Sequence, residues 1–410
     1  MQISEKRLLK YSLYGIAIYI FLFFLLEVEN GGILKLLITI PYVLSVISLL
    51  SICYKNRHQL SGIPKTARNI FYVLIFWGFI TAARGFSLSP QDWITNFGNV
   101  YMAWAWFTPL MIIVGQKIEN WKTIITCIFF MFQLMVISMF FLPFFFNIRP
   151  EWTWMLRPLN FIMLLGISRY NASSRLLVYV LVVCYIIVAI KVEQRIEFVY
   201  LFMVFLFLTI DTLKHLKIKY KLLKISLFGF LALLIFVFAY GYENISIMVS
   251  NYIEFQDSRT FLFKELMSEL NGVEKIFGRG SLGTYFSEYF EHTKWYTEEI
   301  LKQTWYGDSS TRITTEVGYL QMILKGGFLM LFLNTFLMTY AIYKALFRSN
   351  NRFIKRLGLY ILILLILSLI SFRPAFTPTF IILWTAIGTV LNKKYRTMQD
   401  EEIEQLIKFK

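Results

Sequence analysis

CIFFMFQLMVISMFFLPFFF, residues 127–146, runs for 20 positions without one charged side chain. A hydrocarbon core about 30 Å thick takes about 20 helical residues to cross, and inside it every backbone N–H and C=O must find its partner within the protein. Such a run reads as a membrane-spanning helix. Twelve apolar blocks fit this reading, at roughly 11–26, 33–53, 69–86, 100–115, 123–146, 155–168, 175–190, 198–213, 225–242, 315–343, 357–372 and 375–391, of which 155–168 is the shortest. Charged residues make up 16% of the chain, against about 25% in soluble domains. The fold class expected is therefore all-α: a polytopic integral membrane protein of about twelve transmembrane helices. No signal peptide is expected, because the first block is too long for an h-region and no small-residue cleavage site follows it.

The net charge of +16 raises nucleic acid as a partner, but the distribution of that charge argues against it. With the N-terminus cytoplasmic and the sides alternating, 26 of the 41 Lys and Arg residues fall in segments that stay inside. The short outer links hold only Arg84, Arg149, Arg157, Lys191, Arg195 and Arg373. This is the positive-inside bias. It puts both termini in the cytoplasm and assigns the basic charge to topology and to contact with anionic membrane lipid. Cys53, Cys127 and Cys184 all lie in apolar blocks far apart, and His58, His215 and His292 are scattered, so neither a disulfide nor a metal site is expected.

Four stretches follow: residues 1–242 with nine spans, 243–314 as one large extracytoplasmic loop, 315–391 with the last three spans, and a cytoplasmic tail from 392 to 410. Loops this long are functional or disordered, and the aromatic content of this one argues against disorder. Two helical patches are expected within it, SRTFLFKELMSEL (258–270), with Phe263, Leu266, Met267 and Leu270 at helical spacing, and YFSEYFEHTKWYTEEILKQTWY (285–306). Both suit a bilayer surface. FGRGSLGTYF (277–286) lies between them as a breaker. There is no internal repeat and no inverted pair of broken helices of the transporter type. The tail MQDEEIEQLIKFK reads as a solvated or frayed helix.

Outer arginines are rare, which singles out Arg195 in KVEQRIEF, Arg259, Arg279 and Arg312. Guanidinium groups hold phosphate through a two-pronged fork and do not lose their charge, so arginines converging at a membrane surface suit a lipid pyrophosphate. Snorkelling arginines are the plain alternative. From Glu243 to Glu316 there are twelve acids against seven bases, so any anion binding there rests on local geometry. Gly278, Gly280 and Gly283 permit close approach of backbone to a ligand, or a simple turn. No Lys-Ser/Thr pair follows them, so this is not a Walker loop. Glu316, expected in the first turn of the span beginning near residue 315, suits either the helix dipole or a general base. Asp308 is a second outer carboxylate. No DxD motif occurs, which argues against a metal-dependent nucleotide-sugar reaction.

In this order the pieces resemble the O-antigen and capsule polymerases and the related O-antigen ligases. The resemblance rests on Arg195 in EQRIEF, on Ser258-Arg259 opening a helix in the large loop, and on the G-x-G-x-x-G pattern of Gly278, Gly280 and Gly283. The fourth element is EVGYLQMILKGGF, from Glu316 through Tyr319 to Phe328. It covers about residues 190–340. The ligases begin the last motif with His-Asn, where this chain has Glu316-Val317, which favours a polymerase.

The resemblance implies a GT-C-like membrane glycosyltransferase of the bacterial cytoplasmic membrane. It would join undecaprenyl-pyrophosphate-linked oligosaccharide repeat units into O-antigen or capsular polysaccharide on the outer face, without metal, nucleotide or other cofactor. Glu316, Arg195 and Arg259 would be catalytic, and Gly278, Arg279, Gly280, Gly283, Tyr285, Asp308, Arg312 and Tyr319 would bind substrate. Loop amides and arginines would stabilise the leaving pyrophosphate. A chain-length regulator would be a partner protein. A ligase or another lipid-linked glycan transferase is the nearest alternative. A lipid-linked oligosaccharide flippase is a second, which twelve spans would suit but the long outer loop would not.

Overall fold

The structure, a computed structural model, describes residues 4–25, 33–85, 89–141, 152–191, 194–213, 258–300 and 310–407. In chain order the first helices are α1 (Glu5–Leu25), α2 (Ile33–Lys55), α3 (Lys65–Ala83), α4 (Pro90–Gly98), α5 (Met111–Val114), α6 (Asn120–Phe141), α7 (Trp152–Leu156), α8 (Pro158–Leu165), α9 (Ala172–Lys191) and α10 (Arg195–Leu213). Then come α11 (Ser258–Glu269), α12 (Gly272–Phe277), strand β1 (Tyr285–Phe286), α13 (Glu288–Trp295) and strand β2 (Thr311–Arg312). The chain continues as α14 (Gly318–Phe347), α15 (Arg352–Ser368), α16 (Pro378–Leu391), α17 (Lys393–Thr397) and α18 (Asp400–Ile407).

Among the described residues six helical stretches are long and apolar enough to cross a membrane: Leu37–Lys55, Lys65–Ala83, Asp92–Val114, Asn120–Met139, Ala172–Lys191 and Gly318–Phe347. Ile196–Ile210 and Pro378–Leu391 are shorter apolar helices. The expected twelve spans differ from this at several blocks. Block 155–168 divides into α7 and α8 at Arg157, with Pro158 restarting the helix at its first position. Block 100–115 is largely a 3-10 helix over Ala103–Leu110, with Pro109 inside it. Block 225–242 lies outside the described residues.

Several long helices carry bare apolar stripes. Leu37, Ile40, Leu44 and Ile47 on α2, Tyr72, Phe76 and Phe79 on α3, and Leu176, Tyr179, Val183, Ile187 and Ile190 on α9 are all exposed. Steps of three and four residues put each set on one helix face. Contiguous apolar surface of this extent is foreign to a water-soluble monomer and suits lipid.

The described chain forms two compact units. The first holds residues up to Tyr200, Gly272–Gly283 and everything from Thr314 onward. Its centre is α14, which packs against α3, α12, α15 and α16. The tail also belongs here, contrary to the expected solvated helix. Ile403 and Ile407, four positions apart on the acidic α18, are fully buried. Asp400 accepts from Arg352 N at 2.7 Å, and Asn351 Nδ2 donates to the carbonyls of Tyr395 and Met398.

The second unit holds Leu201–Asn271 and Thr284–Ile313. Helix α11 forms as expected, but its buried stripe is Leu262, Leu266 and Leu270, and Phe263 points outward. The second expected patch is not one helix. It opens as β1, antiparallel to β2, with Tyr285 opposite Arg312 and Phe286 opposite Thr311. Ser287 then starts α13, its Oγ accepting from Phe290 N, as a serine at a helix start does. Glu265 on α11 accepts from Ser287 Oγ at 2.7 Å and from Tyr289 N at 2.8 Å, which fixes that turn.

Candidate functional site

Helix α14 is broken. Gly327 has φ 71° and ψ −176°, a conformation essentially restricted to glycine. A Cβ there would lie 2.0 Å from the Ile276 carbonyl oxygen. Backbone groups freed at a break in an apolar helix need other partners, and the glycine segment supplies them. Arg279 N donates to Leu324 O at 2.8 Å and Gly280 N to Lys325 O at 2.9 Å. Trp77 Nε1 donates to Gly326 O at 2.8 Å. Gly278, at φ 68°, passes so close that a Cβ would sit 2.4 Å from Lys325 O.

Side chains complete the lock. Lys325 is fully buried, and its Nζ donates to Ser281 O at 2.7 Å and Gly283 O at 2.8 Å. Arg84 donates to the Phe277 and Gly278 carbonyls. Ser281 N donates to Thr81 O, and Ser281 Oγ to Asn96 Oδ1 at 2.7 Å. The role expected for the loop amides is thereby corrected. The N–H groups of Gly278, Arg279, Gly280, Ser281 and Gly283 all point at carbonyls of the chain itself, so none is directed at an anion. The guanidinium of Arg279 pairs with Glu274 at 3.2 Å, both being partly exposed.

A second cluster lies in the same unit, around the turn after α15. Arg157 donates from Nη2 and Nε to Glu197 Oε1 at 2.7 and 3.0 Å, and Glu197 is fully buried. The Tyr185 hydroxyl donates to the other oxygen of Glu197. Glu197 sits in the first turn of α10, which Arg195 begins, so this ion pair anchors the start of that helix. The Arg157 guanidinium also lies 4.2 Å from the ring centre of Phe372. Next to it, Arg373 lies 3.8 Å from the ring centre of Tyr101 and donates to Thr314 Oγ1 at 2.9 Å. Among the described residues Arg373, half-buried, has no carboxylate at ion-pair distance. Phe372 and Pro374, on either side of Arg373, line a cleft whose other walls include Trp106, Met322, Met330, Met338 and Trp384. Among its lining residues Thr108, Asn334 and Ser368 bring polar side chains, besides the Trp106 and Trp384 indoles.

Glu316 is exposed and precedes α14 by two positions, outside the first turn where it was expected. Gly318 N is held by Ser371 O at 3.0 Å and Thr315 N by Gln321 Oε1 at 2.9 Å, so the segment carrying Glu316 is tied to the turn that carries Arg373. Tyr319 is half-buried in the first turn of α14. In the second unit Tyr285 and Arg312 face each other across the strand pair, and Arg312 is buried with its guanidinium 3.6 Å from the Phe290 ring centre. Arg195 and Arg259 stand in the first turns of α10 and α11, but their side chains and the whole of Asp308 lie outside the described residues.

Arg157, Glu197, Arg373 and Lys325 carried no site role in the sequence reading. A signal for two of them was present, an Arg-Pro step interrupting an apolar block, in LRPLN and FRPAF. No protein-family model and no curated protein sequence matches the chain.

Proposed function

We propose that this protein is a glycosyltransferase of the bacterial cytoplasmic membrane, joining undecaprenyl-pyrophosphate-linked oligosaccharide repeat units into O-antigen or capsular polysaccharide on the outer face. The observation that carries this reading is Arg373, which has no carboxylate at ion-pair distance among the described residues and whose chain neighbours Phe372 and Pro374 line an apolar cleft. A lipid pyrophosphate needs a cation for its head close to apolar surface for its chain. Arg157 offers less, because Glu197 already neutralises it.

In the reaction the donor glycan leaves its pyrophosphate and passes to a hydroxyl of the acceptor repeat unit. Arginine stabilises charge growing on the leaving oxygen. Glu316 takes the hydroxyl proton, an assignment supported by its exposed position beside the turn of Arg373. Arg195 and Arg259 remain proposed contributors through the resemblance alone. The glycine segment, with Gly278, Arg279, Gly280 and Gly283, acts through its lock on α14. A chain-length regulator is the proposed protein partner.

The break at Gly327 favours a second reading, since many secondary transporters build their sites from interrupted helices. The glycan made by a deletion strain separates the two. A single repeat unit on lipid at the outer face is the outcome expected for a polymerase. Repeat units trapped inside would make the protein a flippase, and free unattached polymer would make it a ligase.

A further inference from the structure

At the far end of α14 two cations flank two tyrosines, and the backbone of a third cationic residue is fastened to the same end of the helix. Lys344 stands four positions from both Tyr340 and Arg348, and Tyr343 three positions after Tyr340, spacings that bring side chains together on a helix. Lys344 Nζ lies 5.1 Å from the Tyr340 ring centre and 5.7 Å from that of Tyr343. Arg348 Nε donates to the Tyr343 hydroxyl at 3.3 Å. Cations in a last helical turn are ordinary, because they face the carbonyl end of the helix dipole. The third cation has no such explanation.

Arg396 comes from α17. It is brought to the end of α14 by Asn350, whose N–H donates to Arg396 O at 2.8 Å and whose Nδ2 donates to Thr397 O at 3.2 Å. Its residue exposure is 6%, and among the described residues neither Nε nor Nη1 has an acceptor. Among the described residues none of the three cations has a carboxylate at ion-pair distance. A guanidinium cannot shed its proton, and burying an unpaired charge is costly. An arrangement of this kind calls for an anion from outside the chain.

The surroundings say which anion. Tyr343 and Phe347 are exposed and 5.8 Å apart on the last turns of α14, next to the cations. Aromatic side chains beside basic ones mark the level where hydrocarbon meets headgroups. A free phosphate would leave that aromatic face bare, whereas a phospholipid covers it with acyl chain. We propose that Arg396, Lys344 and Arg348 bind the phosphate of an anionic phospholipid where α14 leaves the bilayer. The site is independent of the glycosyl-transfer reading.

The test uses the purified full-length chain, with native mass spectrometry and thermal unfolding as readouts. Phosphatidylglycerol, phosphatidylcholine and inorganic phosphate are added separately. The wild type retains phosphatidylglycerol and gains thermal stability from it, but does neither with phosphatidylcholine. Arg396→Gln weakens that retention by about tenfold, the loss of one charge-assisted contact. Arg396→Lys weakens it as well, since the fork is gone. Arg175→Gln, an exposed cation elsewhere, leaves it unchanged. If Arg396→Gln does not fold, the double variant Lys344→Gln with Arg348→Gln carries the test, because Arg348 is exposed and Lys344 half-buried. Equal retention of the two lipids, or wild-type retention by the Gln variants, overturns the proposal. A thermal shift from inorganic phosphate alone as large as that from phosphatidylglycerol overturns it too, and makes this a free-anion site.

Discussion

The Nζ of Lys325 lies 2.7 Å from the carbonyl oxygen of Ser281, 44 residues earlier in the chain. It reaches Gly283 O at the same time, at 2.8 Å. One ammonium group thus satisfies two backbone acceptors of the glycine segment from inside an apolar helix. Lys325→Met keeps length and apolar bulk but leaves both carbonyls unpaired. Each buried orphan costs about 1–3 kcal/mol, so a clear fall in thermal unfolding temperature is expected, together with faster proteolysis within 277–286. Unchanged stability in Lys325→Met would show that the lock is not held by this side chain.

Gly326 and Gly327 are neighbours with different fates. Gly327→Ala places a Cβ 2.0 Å from a backbone oxygen at φ 71°, and no side chain can yield. The cost exceeds about 1 kcal/mol, and loss of folded protein from the membrane is the expected result. Gly326→Ala meets the Met330 side chain, its Cβ at 2.5 Å, but no backbone oxygen among its nearest contacts and no positive φ, so a measurable but smaller loss than for Gly327→Ala is expected. Equal behaviour of the two variants would contradict the break as described.

The Arg157–Glu197 pair offers a cycle. Removing either partner from a buried pair leaves an uncompensated charge, at about 3–5 kcal/mol. Arg157→Met and Glu197→Leu should each destabilise strongly, and the double variant should recover much of the loss. Additive effects, measured by thermal unfolding of all four proteins, would mean that the two groups are not coupled.

Glu316→Gln tests the proposed base. General-base contributions run to roughly 10²–10⁴-fold, so chain synthesis should fall by that order. Stability should hold, because Glu316 is exposed and stands outside α14. Polymer of normal amount and length from the Gln variant would remove it from the mechanism.

Orientation is checked by labelling. In the proposed topology a cysteine at Lys294, which is exposed on α13, reacts with an impermeant reagent from outside. One at Lys219 does not. The reverse pattern would invert the chain.

Apolar runs made α2, α3, α6, α9 and α14 legible as helices. Their faces were not legible, for a reason peculiar to lipid. The side of α3 that buries Phe71, Leu74 and Gly78 and the side that shows Phe76 and Phe79 are both apolar. Lipid and protein core ask for the same residues, so periodicity gives little guide to which face packs. In α11, where a mixed face was readable, the buried stripe was misjudged by one position at Phe263. The glycine segment was found by composition, but its partners were not. Its donors answer carbonyls on α3 and α14, and pairing across such separations leaves no local trace. The same holds for Tyr285 opposite Arg312, and for Arg157 with Glu197, 40 positions apart.

The interruption in α14 also sets an order of events in biogenesis. Residues 277–283 leave the ribosome before 318–347, so the piece that completes the broken helix is made first. The two halves on either side of Gly327 enter the membrane with three carbonyls awaiting partners, those of Leu324, Lys325 and Gly326. Donors for two of them come from the glycine segment and for the third from Trp77 on α3, so this transmembrane helix becomes complete only after two earlier parts of the chain have closed on it.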